Sequence, residues 1–291
     1  MVLVTWLLDC LSYNTDNRKN IVSRIFLLIL AVSLPLVAHP QQPKDRSITS
    51  DDFNKSRPSL KRRPVRPRKT YRLASPPLAK ALDVDSPSTL KVGVTLWKVH
   101  REGYGRDARE IASRVEADTK FHEGEFIRLT IESPRTGYLY VIDRDWFTDG
   151  SSGGQTNLIF PQRGEDNRLE VGKLIDIPNQ DYAPFKASPN ANQAGEMLTI
   201  IVTSSPLSLP LSEDPLAVSS TQLAAWERKW SGMTERFEMN GGVGQTRTIE
   251  EQQATGIRQL TRDDPPPQTI YFLVPRSGDG LLFNLLLSYV R

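Results

Sequence analysis

The sequence predicts a mainly β fold, an antiparallel β-sandwich with a small helical insertion before its last strands. Three observations carry this. Apolar and polar residues alternate in short runs, prolines and glycine-bearing turns punctuate those runs, and nowhere does strand alternate with helix as a parallel sheet requires. The clearest run lies between Phe121 and Pro161, where Ile127, Leu129 and Ile131 alternate with Arg128, Thr130 and Glu132. That is the period of a strand with one face buried and one wet. Ser133 to Gly137 supplies turn chemistry, with Pro134 fixing φ and Gly137 free to turn, ahead of the apolar run Tyr138 to Ile142. A hairpin follows from this, and Asn157 to Pro161 adds a third short strand stopped by its proline.

The remaining elements are read in chain order. Val92, Val94 and Leu96 predict a first strand from Lys91 to about Val99. Asp107 to Arg114 reads as one or two helical turns, and Val115 to Thr119 as an edge strand. Asp143 to Gly154 reads as a long polar loop. Leu174 to Ile177 and Leu198 to Thr203 are short strands bounded by prolines, and Ile270 to Val274 and Leu281 to Val290 complete a set of about eight. Ser219 or Ser220 caps a helix that places Leu223, Trp226 and Trp230 on one face. Ile249 to Leu260 is a second, weaker helix interrupted by Gly256, and Met239 to Gly244 is a turn. The economical architecture is one immunoglobulin-like sandwich domain over residues 91–291.

The N-terminal part has a different character. Arg18, Lys19 and Arg24 precede an apolar run of 14 residues, Ile25 to Ala38, too short to span a bilayer comfortably. Residues 1–40 therefore read as an export signal cleaved after Ala38, with an uncleaved membrane anchor as the alternative. Translation starting near Val22 would give a signal of more ordinary length. The only cysteine, Cys10, lies ahead of that cleavage point, so the mature chain would hold no disulfide and no catalytic thiol. Residues 41–90 are rich in proline and carry twelve Lys and Arg against five Asp and Glu, whereas 91–291 carries 22 against 27. A basic arm thus precedes a mildly acidic body. The arm reads as a disordered linker, because it has too few apolar residues to offset the entropy of ordering. Its basic run, with Lys61, Arg62, Arg63, Arg66, Arg68 and Lys69, is either a contact for an anionic cell-wall or membrane surface or a solvated spacer. Export disfavours nucleic acid as the partner.

The stretch VEADTKFHEGEFIRLTIESPRTGYLYVIDRD, followed by LIFP, DNRLEVGKLIDIP and GEMLTIIVTSSPL, resembles the bacterial domain of unknown function 4384 family over roughly Val115 to Leu207. The resemblance implies an envelope-associated β-domain. Elsewhere such domains accompany peptidase-like, kinase-like or secretion-related modules. It implies no activity and supplies no catalytic residues.

Chemistry is sought residue by residue. Asp143, Asp145 and Asp149 offer oxygen ligands of the kind calcium takes, but their spacing departs from the EF-hand loop and the distal glutamate is missing. A solvated loop in which aspartates cap turns competes with that reading. Ser151 and Ser152 lack a nucleophile-elbow context. His100 and His122 are too few for a zinc set. Glu123, Glu125 and Glu132 fall on the strand face predicted to be wet, where acid–base chemistry is disfavoured. Trp97, Trp146, Trp226 and Trp230 offer faces that can stack on sugar rings, with Trp146 a partner-contact candidate, while tryptophans spaced along an amphipathic helix, as Trp226 and Trp230 are, usually serve as core. No cofactor is expected beyond that calcium option. Two functions remain: a non-catalytic envelope module that docks a protein or wall polymer, and an envelope hydrolase that uses carboxylates with or without a metal.

Overall fold

The computed structural model of the chain describes residues 51–59, 89–103 and 109–290. The predicted export signal and the basic run from Lys61 to Lys69 lie outside these residues. Among the described residues no helix is long and apolar enough to cross a membrane. The described residues belong to one compact unit.

The fold is mainly β, as predicted, with more and longer strands than the sequence reading assigned. In chain order these are β1 (Leu90–Glu102), β2 (Arg109–Val115), β3 (Lys120–Phe121), β4 (Phe126–Glu132), β5 (Gly137–Phe147), β6 (Ser152–Phe160), β7 (Arg168–Leu169), β8 (Leu174–Ile177), β9 (Phe185–Lys186), β10 (Gln193–Thr203) and β11 (Leu216–Ala217). Helix α1 (Ser220–Trp230), β12 (Gly232–Glu238), helix α2 (Ile249–Gln253), β13 (Thr269–Pro275) and β14 (Gly280–Tyr289) follow. They build two seven-stranded sheets. The first is ordered β12-β13-β1-β4-β8, with β2 on β1 and β9 on β4. The second is ordered β11-β6-β5-β10-β14-β3, with β7 on β5. All pairings are antiparallel except β14 with β3.

One core cluster draws on both sheets. Val94, Leu96, Leu129 and Ile131 of the first join Leu139, Val141, Ile200 and Phe283 of the second. The opposite face of the second sheet is closed by α1, whose Leu223, Trp226 and Trp230 pack on Tyr140, Ile142 and Ile201. Ser219 caps this helix through Gln222 N at 3.1 Å, and the tryptophans are core, as expected.

Four expectations are corrected. Residues 109–115 form β2, paired along β1 from Glu102 to Leu96, because the partner strand extends past Val99 and satisfies their backbone groups. Asp143 to Phe147 is not loop but the second half of β5, paired to β10 on one side and β6 on the other, so the turn shrinks to about Thr148–Ser151. Helix α2 stops at Gln253, well short of Leu260.

The fourth correction concerns the arm. Residues 51–54 make a helical turn, and 51–59 lie on the first sheet as a strap rather than a linker. Phe53 is fully buried with Ile270 and Phe272. Gly93 makes room for it, since a Cβ there would come within 2.9 Å of the Phe53 ring. Arg57 is 1% exposed and grips Glu132 with Nε to Oε1 at 2.7 Å and Nη2 to Oε2 at 2.6 Å, while also donating to the carbonyls of Asp264 and Pro265. A carboxylate on β4 that alternation placed in water is thereby sealed inside.

Candidate functional site

Two charged clusters stand out, one on each sheet. The first begins on the polar face of β1 and β4, where Trp97 lies opposite Arg128 and Thr95 opposite Thr130. Segments 239–268 and the strap cover part of this face, so Arg128 and Thr130 are buried although alternation marks them as wet. Trp97 Nε1 donates to Thr130 Oγ1 at 2.7 Å, and that hydroxyl donates to Asp176 Oδ1 at 2.7 Å. Asp176 in turn holds Arg247 in a fork, with Nη1 to Oδ2 at 2.6 Å and Nη2 to Oδ1 at 3.0 Å. The Arg247 guanidinium lies 5.6 Å from the Trp97 ring centre, with Arg114 at 5.3 Å. Arg114 pairs with Glu251, which also closes the capping box of α2 with Thr248. This chain of contacts fixes Arg247 in place.

Beside it opens a cleft of about 620 Å³, lined by Arg109 and Glu110 of β2, Arg128 of β4, and Thr246, Arg247 and Gln252 around α2. Arg128 donates to the Tyr182 carbonyl at 2.9 Å and reaches Glu110 at 3.5 Å. Its Nε, like that of Arg247, is buried without a hydrogen-bond partner. Three guanidiniums on different elements thus face one opening.

The second cluster sits at the end of the core where β5, β10 and β14 run side by side. Asp143 and Asp145 continue the inward face of Leu139 and Val141, and Glu196 lies opposite Asp145. Asp143 shares a hydrogen bond with Glu196. Glu196 also accepts from Gln193 Nε2 at 2.7 Å and from Tyr289 Oη at 3.2 Å, and Gln193 Nε2 reaches Asp145 Oδ1 at 2.9 Å. Burial first, then the neighbouring carboxylates, pushes Asp143 up to about 6 and Glu196 up to about 8. The Tyr289 phenol is also raised, by burial and by the Glu196 charge. The cavity here, about 110 Å³, is closed on the other side by Ile127, Phe185 and Lys186. Such a pair can hold one proton between two carboxyls near neutral pH.

The predicted calcium loop is not assembled. Asp143 and Asp145 are strand residues in the second cluster, and Asp149 lies in an exposed turn where its Oδ1 accepts from Ser151 N at 2.8 Å and Ser151 Oγ at 2.6 Å. Among the described residues no three His, Cys, Asp or Glu side chains stand close enough to hold a metal ion. Trp146 is a half-buried residue of β5, paired with Ser152. Of the glutamates expected in water, Glu123 is exposed, Glu125 pairs with Lys98, and Glu132 is sealed by Arg57. Sequence reasoning missed Arg109, Arg128, Arg247, Asp176 and Glu196 as site residues. A signal existed only for Glu196, a lone carboxylate entering the apolar run Met197 to Val202.

These features define a mainly β chain with a cationic cleft on one sheet and a protonatable acidic pair on the other. No protein-family model, no curated protein and no solved structure matches the chain.

Proposed function

We propose that the chain is a non-catalytic interaction module of the bacterial envelope, an immunoglobulin-like β-sandwich that docks a protein or an anionic wall or membrane partner. The observation that carries this is the 620 Å³ cleft, whose arginines are held in place by Asp176, Trp97 and the Tyr182 carbonyl. A preorganised, open, polar surface of this kind suits recognition, because little side-chain freedom is left to lose on binding. The resemblance to the domain of unknown function 4384 family and the predicted export signal favour the envelope as its location. The basic run between Lys61 and Lys69 adds positive charge to the sequence between the strap and β1.

The test is co-sedimentation of the full chain with isolated envelope fractions at low and high salt. Bound protein should fall several-fold as salt rises and fall again in Arg109→Glu. Salt-independent binding that Arg109→Glu leaves untouched would remove the cleft from the account.

One observation favours a hydrolase as a second reading: the Asp143 and Glu196 pair lies buried against a cavity, as an acid–base couple would. Hydrolysis of wall glycans by the wild type but not by Glu196→Gln would establish it over the docking role.

A further inference from the structure

Resting on the reading of the cleft as a docking site, we propose that what it recognises is a phosphoryl group, gripped by Arg109, Arg128 and Arg247. The argument begins with what each guanidinium lacks. Arg247 spends both terminal nitrogens on Asp176, with Nη2 also reaching the Glu251 carbonyl at 3.2 Å, and only its buried Nε has no partner. Arg128 has a side chain only 7% exposed, yet its contacts are one carbonyl at 2.9 Å and a carboxylate at 3.5 Å that it shares with Arg101, itself 3.3 Å away. Its Nε is likewise orphaned. A buried guanidinium supplied so thinly is costly to maintain unless a further acceptor completes it.

Charge then selects the ligand. Of the charged side chains lining the cleft, Arg109, Arg128 and Arg247 are set against Glu110, and with Asp176 behind Arg247 the balance around the opening stays positive. A carboxylate would occupy a single fork and neutralise one charge, as Asp176 already does for Arg247. A phosphate monoester carries up to two charges near neutral pH and presents three acceptor oxygens, so it can engage several guanidinium forks together. Thr246 and Gln252 border the cleft as neutral donors, and its volume suits a headgroup-sized ligand. Ile249, 69% exposed on the rim, would meet whatever carries the phosphate.

Thermal unfolding of the full chain, titrated with inorganic phosphate at constant ionic strength against acetate and chloride, tests this. Phosphate should raise the midpoint saturably and the other two should not. Arg109→Gln, a surface change that leaves the fold alone, should weaken phosphate binding about tenfold, as loss of a charge-assisted bond does. Arg128→Gln should do the same, and Arg236→Gln on β12 should do nothing. Vesicles containing phosphatidate, compared with phosphatidylcholine alone, identify the source. Arg109-dependent binding to phosphatidate that Ile249→Ser weakens marks a lipid phosphate, whereas a response to inorganic phosphate alone marks a soluble monoester. A phosphate effect matched by acetate, or one that survives both arginine changes, overturns the phosphoryl assignment. The docking reading would still stand if envelope binding remained sensitive to Arg109→Glu.

Discussion

Arg57 with Glu132 and Asp143 with Glu196 are both buried pairs of ionisable side chains, yet they differ in what completes them. The first joins opposite charges through two short bonds, and its spare donors reach backbone carbonyls. The second joins like charges, and Asp143 Oδ1 is left buried without a partner. A completed pair of opposite charges fixes structure, whereas an incomplete pair of like charges stores a proton and titrates in the range where proteins work.

The largest effect should come from breaking the completed pair. Arg57→Ala leaves Glu132, whose carboxyl is already pushed up by burial, sealed in without its partner, and equilibrium denaturation should show a loss of about 3 to 5 kcal/mol. Arg57→Met combined with Glu132→Leu should recover most of that loss, because apolar replacements need no partner. No recovery in the double variant would mean that the strap is held by Phe53 alone.

Leu129→Ala, beside the pair on β4 but facing the core, should cost about 2 to 5 kcal/mol through the cavity it leaves. Thr130→Ala should cost about 1 to 3 kcal/mol, because it strips Trp97 Nε1 of its acceptor and Asp176 of a donor. A Thr130 variant as stable as wild type would show that the covered face of β4 admits water.

The incomplete pair should respond to pH. An acid raised in the folded state holds its proton more tightly folded than unfolded. Stability from Asp143 and Glu196 is therefore present at low pH and lost as pH climbs from the ordinary values of 3.8 and 4.5 through about 6 and about 8. Glu196→Gln should flatten that decline in a series of thermal melts, and an unchanged slope would relocate the titration to other groups. The smallest effect is expected at Asp149, exposed on its turn. Asp149→Ala should leave the denaturation midpoint within experimental scatter of wild type, and added calcium should leave the melting midpoint where it was.

Strands were legible wherever one face is apolar and the ends carry breakers, as at β4, β8 and β13. They were illegible where both faces are polar. Asp143 to Trp146 and Arg109 to Ser113 look like loop or helix locally, and only pairing with distant strands makes them β. Alternation also misled on β4, because it reports which face meets the main core but not whether another segment covers the reverse. Arg128, Thr130 and Glu132 are each met by residues far away in sequence: the Tyr182 carbonyl takes a bond from Arg128, Leu260 and Pro267 close over Thr130, and Arg57 pairs with Glu132. The cleft was invisible for the same reason, since its three arginines stand on three separate elements.

The strap also decides how the protein would bear a load. Tension on the chain ahead of residue 51 would reach the body first at Phe53 and Arg57. The aromatic side chain buried among Ile270 and Phe272 and the forked pair with Glu132 would then have to yield before β1 felt the pull, which makes the strap the mechanical clasp of the first sheet.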